Sequence, residues 1–150
     1  MKYPQIALAT ALGCIVSTPA VAERRYQLVA IDNESIIMVD DATVKRSGNL
    51  AVFWAAMIER DTDWDYSMLR SEIDCAADNM RNTFSAVYQN GDLVSSYSSD
   101  EAFQPVIPAT TGETILNYVC TDVLDESIER NLFDPKDFAE MKVWLRENQE

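Results

Sequence analysis

The sequence predicts an α+β fold in which a single antiparallel sheet of about six strands is followed by one or two C-terminal helices. Short runs of strand-like composition follow one another between residues 26 and 98, with only brief polar links between them. The dipeptide Asn90-Gly91, the strongest short-range hairpin signal, joins the last two runs. Helical periodicity begins only after Pro105 and Pro108. The short links favour a meander of neighbouring strands over parallel strands joined by crossovers.

The first 22 residues have the pattern of a secretory signal peptide. Lys2 supplies a positive charge, an apolar run reaches Val16, and Ala20-Val21-Ala22 is an A-x-A cleavage site. We expect cleavage after Ala22, which leaves residues 23–150 as one domain with a C-terminal helical extension. Export to the periplasm or secretion follows. Two alternatives are a buried N-terminal helix and an outer-membrane lipoprotein modified at Cys14.

Six strands are predicted in the mature chain. They cover Tyr26 to Ile31, Ser35 to Val39, Leu50 to Ile58, Met68 to Cys75, Asn82 to Gln89 and Leu93 to Ser98. The third is apolar on both faces, and its length and two aromatic residues favour a strand over a helix. Since Phe53 and Trp54 point in opposite directions, it must be covered twice. We expect the helices on one side and a loop or a second subunit on the other.

The two mature cysteines, Cys75 and Cys120, are predicted to form a disulfide bond. Cleavage removes the third cysteine, Cys14, and leaves an even number in an oxidising compartment. A bridge would join the end of a central strand to a helix downstream. It would close a loop of 45 residues, and in the chain-entropy model closing such a loop stabilises the folded state by about 4 kcal/mol.

The C-terminal third contains two predicted helices. The first is capped by Thr110 or Thr111, has Glu113 in its first turn and ends near Cys120. Its predicted buried side consists of Ile115, Leu116 and Val119, with Cys120 as a further candidate. The second is capped by Asp134, with Pro135 in its first turn. Its apolar stripe consists of Phe138, Met141, Trp144 and Leu145.

The composition argues against an enzyme and against binding of nucleic acid. The chain has no histidine and a net charge of −13, so it lacks the commonest general base and repels polyanions and anionic lipid heads. Catalytic residues, cofactors and metal ligands are therefore not predicted, and neither is membrane insertion of the mature chain. One alternative stays open, because the acidic loop from Asp61 to Asp65, with Glu72 at the twelfth position, resembles half of a calcium loop. Tyr66 stands where that loop requires glycine.

A series of short motifs resembles the bacterial surface-adhesin protein E-like family over Tyr26 to Cys120. The motifs are Asp32 followed by Ser35-Ile36, the strand containing Trp54, Glu72-Ile73-Asp74-Cys75 with Arg81 downstream, and Pro108 followed by Tyr118-Val119-Cys120. The resemblance implies a curved antiparallel sheet with a helix tethered by a disulfide to its concave face. It also implies a homodimer that binds host matrix or serum proteins. The segment after Cys120 lies outside this pattern.

The function predicted from these features is that of a non-enzymatic, exported cell-envelope or secreted binding module. In its more specific form it is an adhesin whose protein ligand is a host matrix or serum protein. The alternative is a periplasmic structural or stress-related protein without a host ligand. Nothing in the residues identifies a ligand, since the host-binding expectation comes from the resemblance alone.

Overall fold

The computed structural model describes residues 26–124, 128 and 130–148. These residues form one antiparallel sheet of nine strands and two α-helices. The strands are β1 (Tyr26–Ile31), β2 (Ser35–Asp40), β3 (Lys45–Ser47), β4 (Leu50–Glu59), β5 (Tyr66–Asp74), β6 (Asn79–Gln89), β7 (Asp92–Ser98), β8 (Gln104–Pro105) and β9 (Leu132–Phe133). The helices are α1 (Thr111–Thr121) and α2 (Phe138–Glu147). No helix in the described ranges combines the length and the apolar character needed to cross a membrane.

The sheet has the spatial order β7-β6-β5-β4-β2-β1-β9, and β3 and β8 extend it beside β4 and β6. All six predicted strands are present, and the Asn90-Gly91 turn joins β6 to β7 with positive φ at both residues. The strand count is higher than predicted because β3, β8 and β9 contain only two or three residues each. Segments this short carry no readable alternation. Pro105, predicted to lie beyond the sheet, belongs to β8 and pairs with Asn79 of β6.

Strand β4 lies near the middle of the sheet and is covered on both faces. It pairs with β2 and β3 on one side and with β5 on the other. Ala51, Phe53 and Ala55 are buried on the face that contacts α1, here called the α1 face. Ala56 and Ile58 are buried on the opposite face, which contacts α2 and is called the α2 face. The prediction of a doubly covered strand is confirmed.

Helix α1 packs on the α1 face through the side chains that its periodicity predicts. Ile115, Leu116 and Val119 are buried there, together with Tyr118, which the sequence did not indicate. Thr110 occupies the N-cap position, but its hydroxyl donates to the Ile107 carbonyl and leaves the helix without a side-chain cap. The Glu113 carboxylate instead accepts the Ala109 N–H at 2.8 Å.

Helix α2 packs on the α2 face, opposite α1. Phe138 meets Tyr26 and Tyr66 edge to face, with ring centroids 5.1 and 5.0 Å away. Leu145 is buried in the same cluster. The second cover therefore comes from the chain's own C-terminal helix. The expectation that both helices lie on one side of the sheet is wrong, because each helix has an apolar side that packs on a different face. Trp144 was predicted to lie in the buried stripe, but it is 48% exposed, because the buried side of the helix is centred on Phe138 and Leu145 and includes Lys142 on the edge away from Trp144.

The approach to α2 follows the predicted capping pattern with one change. The Asp134 N–H donates to the Asp137 carboxylate at 3.0 Å, as in a capping box. The residues that follow, Pro135–Asp137, form a 3₁₀ turn, so that the α-helix begins only at Phe138.

Candidate binding groove

An open groove lies on the α1 face between the N-terminal half of α1 and strands β4 to β7, and its volume is about 530 Å³. We call it the α1-side groove. Its apolar lining includes Met57, Leu69, Met80, Val87, Tyr97 and Ile115. Small polar side chains reach it between these residues, among them Ser67, Ser71, Asn82, Ser85 and Thr111. A mostly apolar concavity of this size with a few polar groups is typical of a ligand site.

The helix that forms one wall of the groove is fastened at its C-terminal end. The Cys75–Cys120 disulfide joins the segment after β5 to α1, with a Cα–Cα distance of 5.8 Å. The Arg46 guanidinium donates to the Val119 carbonyl at 2.7 Å. The Tyr118 hydroxyl donates to the Asp41 carboxylate, and burial followed by this hydrogen bond raises the pKa of Tyr118. Tyr118 is therefore a neutral donor at any physiological pH.

The N-terminal end of the same helix is fastened through the turn between β1 and β2. The Asp32 carboxylate accepts the backbone N–H groups of Glu34 and Ser35 at 2.8 and 2.7 Å, and the Thr111 hydroxyl at 3.2 Å. Partial burial alone would raise the pKa of Asp32, but the hydrogen bonds that it accepts lower the pKa below its ordinary value. The Asp32 and Ser35 motif thus closes a turn and holds the first turn of α1.

The floor of the groove is polar where β5 and β6 face α1. Ser67, Ser71 and Ser85 are each at most 5% exposed. The Ser71 hydroxyl donates to the Asn82 side chain at 2.8 Å. The sequence held a signal for this floor, because serines alternate with Leu69 and Ile73 on the inward face of β5, where a packed core would have larger apolar residues.

Trp64 adds an unsatisfied donor to the groove lining. Its indole N–H is buried and has no hydrogen-bond acceptor within the described ranges. A buried donor left without a partner costs about 1–3 kcal/mol. A ligand oxygen in the groove is one group that could accept it.

The Glu72 and Arg81 motif lies on the opposite face and is structural. Arg81 donates to the Glu72 carboxylate at 2.9 and 2.6 Å across the β5–β6 pair. Its guanidinium also stacks over the Phe103 ring at 4.5 Å from the centroid. These contacts join the start of β6 to β5 and to the segment before β8. Cys75 of the disulfide directly follows β5. The motif therefore stabilises the β5–β6 pair and lies outside the groove.

A family model of surface-adhesin protein E matches residues 26–121, which include both walls and the floor of the groove. The chain belongs to the surface-adhesin protein E family. No curated protein and no solved structure matches it at a significant level. The family assignment indicates an exported or cell-surface protein that binds a protein ligand. The matched segment ends at the last residue of α1, so α2 lies outside it.

The acidic loop that resembles a calcium loop is filled by a side chain of the protein. The buried Lys142 ammonium of α2 donates to the Thr62 carbonyl at 2.8 Å, to the Thr62 hydroxyl at 2.7 Å and to the Trp64 carbonyl. Arg146 donates to the Arg60 and Thr62 carbonyls at 3.0 and 2.9 Å. Three or more acidic, histidine or cysteine side chains in a metal-binding arrangement do not occur within the described part of the chain. The loop thus uses its oxygens to hold α2.

A second cavity, of about 510 Å³, lies on the other side of the molecule beside α2. Its apolar lining consists of Leu28, Ile31, Ile36, Phe133, Met141 and Trp144, and the acidic residues Asp137 and Glu140 also line it. Its helical wall lies outside the segment that the family model matches. The α1-side groove is the better candidate for the shared function.

Proposed function

We propose that this chain is a non-enzymatic, exported binding module that takes a protein ligand in the α1-side groove. The main support for this proposal is that the groove lies wholly within the family-matched segment. It also lies beside a helix that is held at both ends. A rigid wall lowers the entropic cost of ordering a binding surface. The alternation of apolar and small polar groups suits a polypeptide, which presents both side chains and backbone amides.

The ligand in the more specific form of this proposal is a host matrix or serum protein. Family membership supports a protein ligand in general, and the host origin follows from the resemblance. The alternative is a periplasmic structural or stress-related protein without a host ligand. The two proposals place the protein in different compartments, which makes localisation the first experiment.

Cell fractionation combined with N-terminal sequencing tests the localisation. We expect a mature protein that begins at Glu23, found at the surface or in the medium. A mature chain that begins with a lipid-modified Cys14 would contradict cleavage after Ala22 and would indicate a lipoprotein anchored in the outer membrane. Confinement of the protein to the periplasm would favour the alternative function and contradict adhesion.

Binding of residues 23–150 to immobilised host matrix and serum proteins tests the groove itself. Tyr97 lines the groove and is 61% exposed, so Tyr97→Arg should weaken binding without unfolding the domain. The matched control is Val143→Arg, at a 53% exposed position on α2. We expect about tenfold weaker binding for the first variant and no change for the second. Equal binding by the wild type and both variants would show that the ligand does not bind in the groove.

A homodimer belongs to this proposal as well, and the uncovered part of the α2 face suits it. Trp54 and Phe84 pack edge to face there, with centroids 5.7 Å apart, and both stay partly exposed. Aromatic residues of this kind are enriched at the centres of interfaces. Light scattering of the mature protein is the measurement, and it is combined with substitutions of the two faces below.

A further inference from the structure

Strand β7 forms one edge of the sheet, and within the described residues no strand pairs with its outer side. It pairs with β6 on one side, and the sheet order ends with it. All seven of its residues are exposed. The large apolar side chains among them, Leu93, Val94 and Tyr97, are 56, 59 and 61% exposed. An edge of this kind presents unpaired backbone groups to which another strand can pair.

The backbone groups directed outward can be identified from the register. The Ser99 N–H donates to the Thr83 carbonyl at 3.0 Å, which marks a hydrogen-bonded position of the ladder. Hydrogen-bonded and non-hydrogen-bonded pairs alternate in antiparallel strands. Since Ser98 pairs with Phe84 and Ser96 with Ala86, these two serines direct their N–H and C=O groups away from β6. The register shift at Val94 lies outside this regular stretch.

The regular stretch of β7 after the bulge at Val94 lacks two of the usual protections of an edge strand, which are charged residues and proline. From Leu93 to Ser98 the strand has no charged residue and no proline. Natural edges are commonly blocked by lysine, proline or an inward-pointing charge. An uncharged edge that is open in the folded state is therefore a candidate for strand addition, in which backbone hydrogen bonds supply affinity.

The charges around β7 indicate what kind of strand would pair with it. Asp92 begins the strand, and Asp100 and Glu101 follow it closely. The sequence contains neither lysine nor arginine between Arg81 and Arg130. A segment with basic residues at both ends would meet opposite charges at each end of β7. Opposite charges across a strand pair stabilise it, and like charges destabilise it.

The same charges disfavour a second copy of the chain at this edge. Two β7 strands paired antiparallel about Ser96 would place Asp92 of each copy opposite Asp100 of the other. The register that pairs Ser96 of each copy with Ser98 of the other would place Asp92 opposite Ala102 and next to Glu101 of the other copy. Like charges would then lie at both ends of the new pair.

We propose that β7 accepts an extended segment of a partner protein as an additional antiparallel strand, and that this segment has apolar alternate residues and a basic residue at each end. The inference rests on the proposed function, because it names a site and a chemical class for the protein ligand. Tyr97 connects the two surfaces, since it lies on β7 and also lines the α1-side groove. Side chains on one face of the added strand would continue the groove beyond Tyr97.

The decisive variant is Ser96→Pro. Proline removes the outward N–H of residue 96 but no hydrogen bond to β6, and edge strands tolerate proline at such positions. Ser96→Ala is the matched control, since it keeps the N–H. The probe is a fluorescent peptide as long as β7, with alternating valine and threonine and a lysine at each end. A second peptide carries glutamate at both ends.

Fluorescence anisotropy should show that the lysine-ended peptide binds the wild type and Ser96→Ala equally. We expect Ser96→Pro to bind it about tenfold more weakly or worse, with an unchanged thermal unfolding midpoint. The glutamate-ended peptide should also bind more weakly than the lysine-ended one, and the difference should shrink with added salt. Equal binding by Ser96→Pro, or no binding of either peptide to the wild type, would overturn the inference.

Two further results separate this inference from the proposed function. If Ser96→Pro keeps its binding to a host protein that Tyr97→Arg loses, then the groove binds the ligand and the edge does not. Light scattering gives the other result. A wild-type dimer that Ser96→Pro converts to a monomer would make a second copy the occupant of β7 and contradict the proposed partner.

Discussion

The two faces of the sheet share the same central strands but are covered in different ways. The α1 cover is covalent, through the Cys75–Cys120 bridge, and lies inside the family-matched segment. The α2 cover is non-covalent and lies beyond it, held by Phe138 and Leu145 in the apolar cluster and by Lys142 in the loop between β4 and β5. One sheet can thus pack against two kinds of helix. The disulfide-linked α1 forms a wall of a groove, and the non-covalently packed α2 removes apolar surface from water.

This difference predicts that the α1 face is essential for folding and that the α2 face is in part replaceable. Phe53 on the α1 face is 1% exposed, whereas its neighbour Trp54 on the α2 face is only partly buried. On the α2 face, α2 covers Ile58 but leaves the side chain of Trp54 partly exposed to solvent.

The largest effect is expected from a charge placed at each of these neighbouring positions. Phe53→Glu should unfold the domain, because losing a buried aromatic ring costs on the order of 4 kcal/mol and an unpaired buried carboxylate adds to that cost. Trp54→Glu should leave a folded protein. Circular dichroism and thermal unfolding of the two variants measure the contrast.

Light scattering of the same pair of variants decides whether the open part of the α2 face forms a homodimer. A dimeric wild type and a folded, monomeric Trp54→Glu variant would place the interface there. If the wild type is a monomer at high concentration, then α2 is the only second cover that the sheet needs. A folded Phe53→Glu protein would contradict the whole comparison.

The next largest effect is expected from removing the bridge that fastens α1. Replacing Cys75 and Cys120 by serine together should cost about 2–5 kcal/mol of unfolding free energy. Urea denaturation measures this loss. Intact mass gives the control, since the native chain should be two hydrogens lighter than the reduced chain. A double variant as stable as the wild type would show that the other contacts of α1, from Arg46 and Tyr118, suffice to hold the helix.

The sequence predicted the parts of the fold that depend on local pattern. Alternation located the long strands, Asn90-Gly91 located the last hairpin, and Asp134 located the start of the second helical segment. These signals lie within a few residues of the feature that they specify. The apolar character of both faces of β4 also predicted that both faces are covered, because apolar side chains on either face of a strand must be shielded from water.

The features that the sequence did not predict depend on pairs of distant residues. The pairing of Leu132 and Phe133 with the start of β1 places the last segment at the far edge of the sheet, before α2 crosses the α2 face. Periodicity shows which side of a helix is apolar but not which face of the sheet it meets. Lys142 is the clearest case, because a lysine on a helix is normally a solvent-exposed residue and here fills an oxygen cage.

A smaller effect is expected from loosening α2 alone. Lys142→Met keeps the aliphatic stem but leaves the oxygens of Thr62 and Trp64 without their donor, which should cost about 1–3 kcal/mol. Burial lowers the pKa of Lys142, with Arg146 adding to that shift, so the desolvation of the ammonium already offsets part of its contribution. Limited proteolysis should release the C-terminal segment first.

The control for Lys142 is Lys136→Met, in the turn before α2. Lys136 forms an exposed ion pair with Asp134 at 3.1 Å, and such pairs contribute little. We expect its removal to leave both unfolding and proteolysis unchanged. If the two lysine variants behave alike, then the oxygen cage does not hold α2.

The smallest effect concerns the other end of α1 and depends on pH. The pKa of Asp32 lies below its ordinary value of 3.8 because the N–H groups of Glu34 and Ser35 and the Thr111 hydroxyl donate to its carboxylate, outweighing the opposing effect of partial burial. A lowered pKa in the folded state means that the unfolded chain binds the proton more tightly. The contribution of Asp32 is therefore fully present above pH 3.8 and is lost as the pH falls through the lower, folded-state pKa. Since the carboxylate is largely exposed, we expect it to amount to less than about 1 kcal/mol. Asp32→Asn should flatten the acid limb of the stability curve slightly and loosen the first turn of α1, which hydrogen exchange at the N–H groups of that turn would detect. A variant with an unchanged acid limb and unchanged exchange would show that the bridge at Cys120 fixes α1 without help from its N-terminal end.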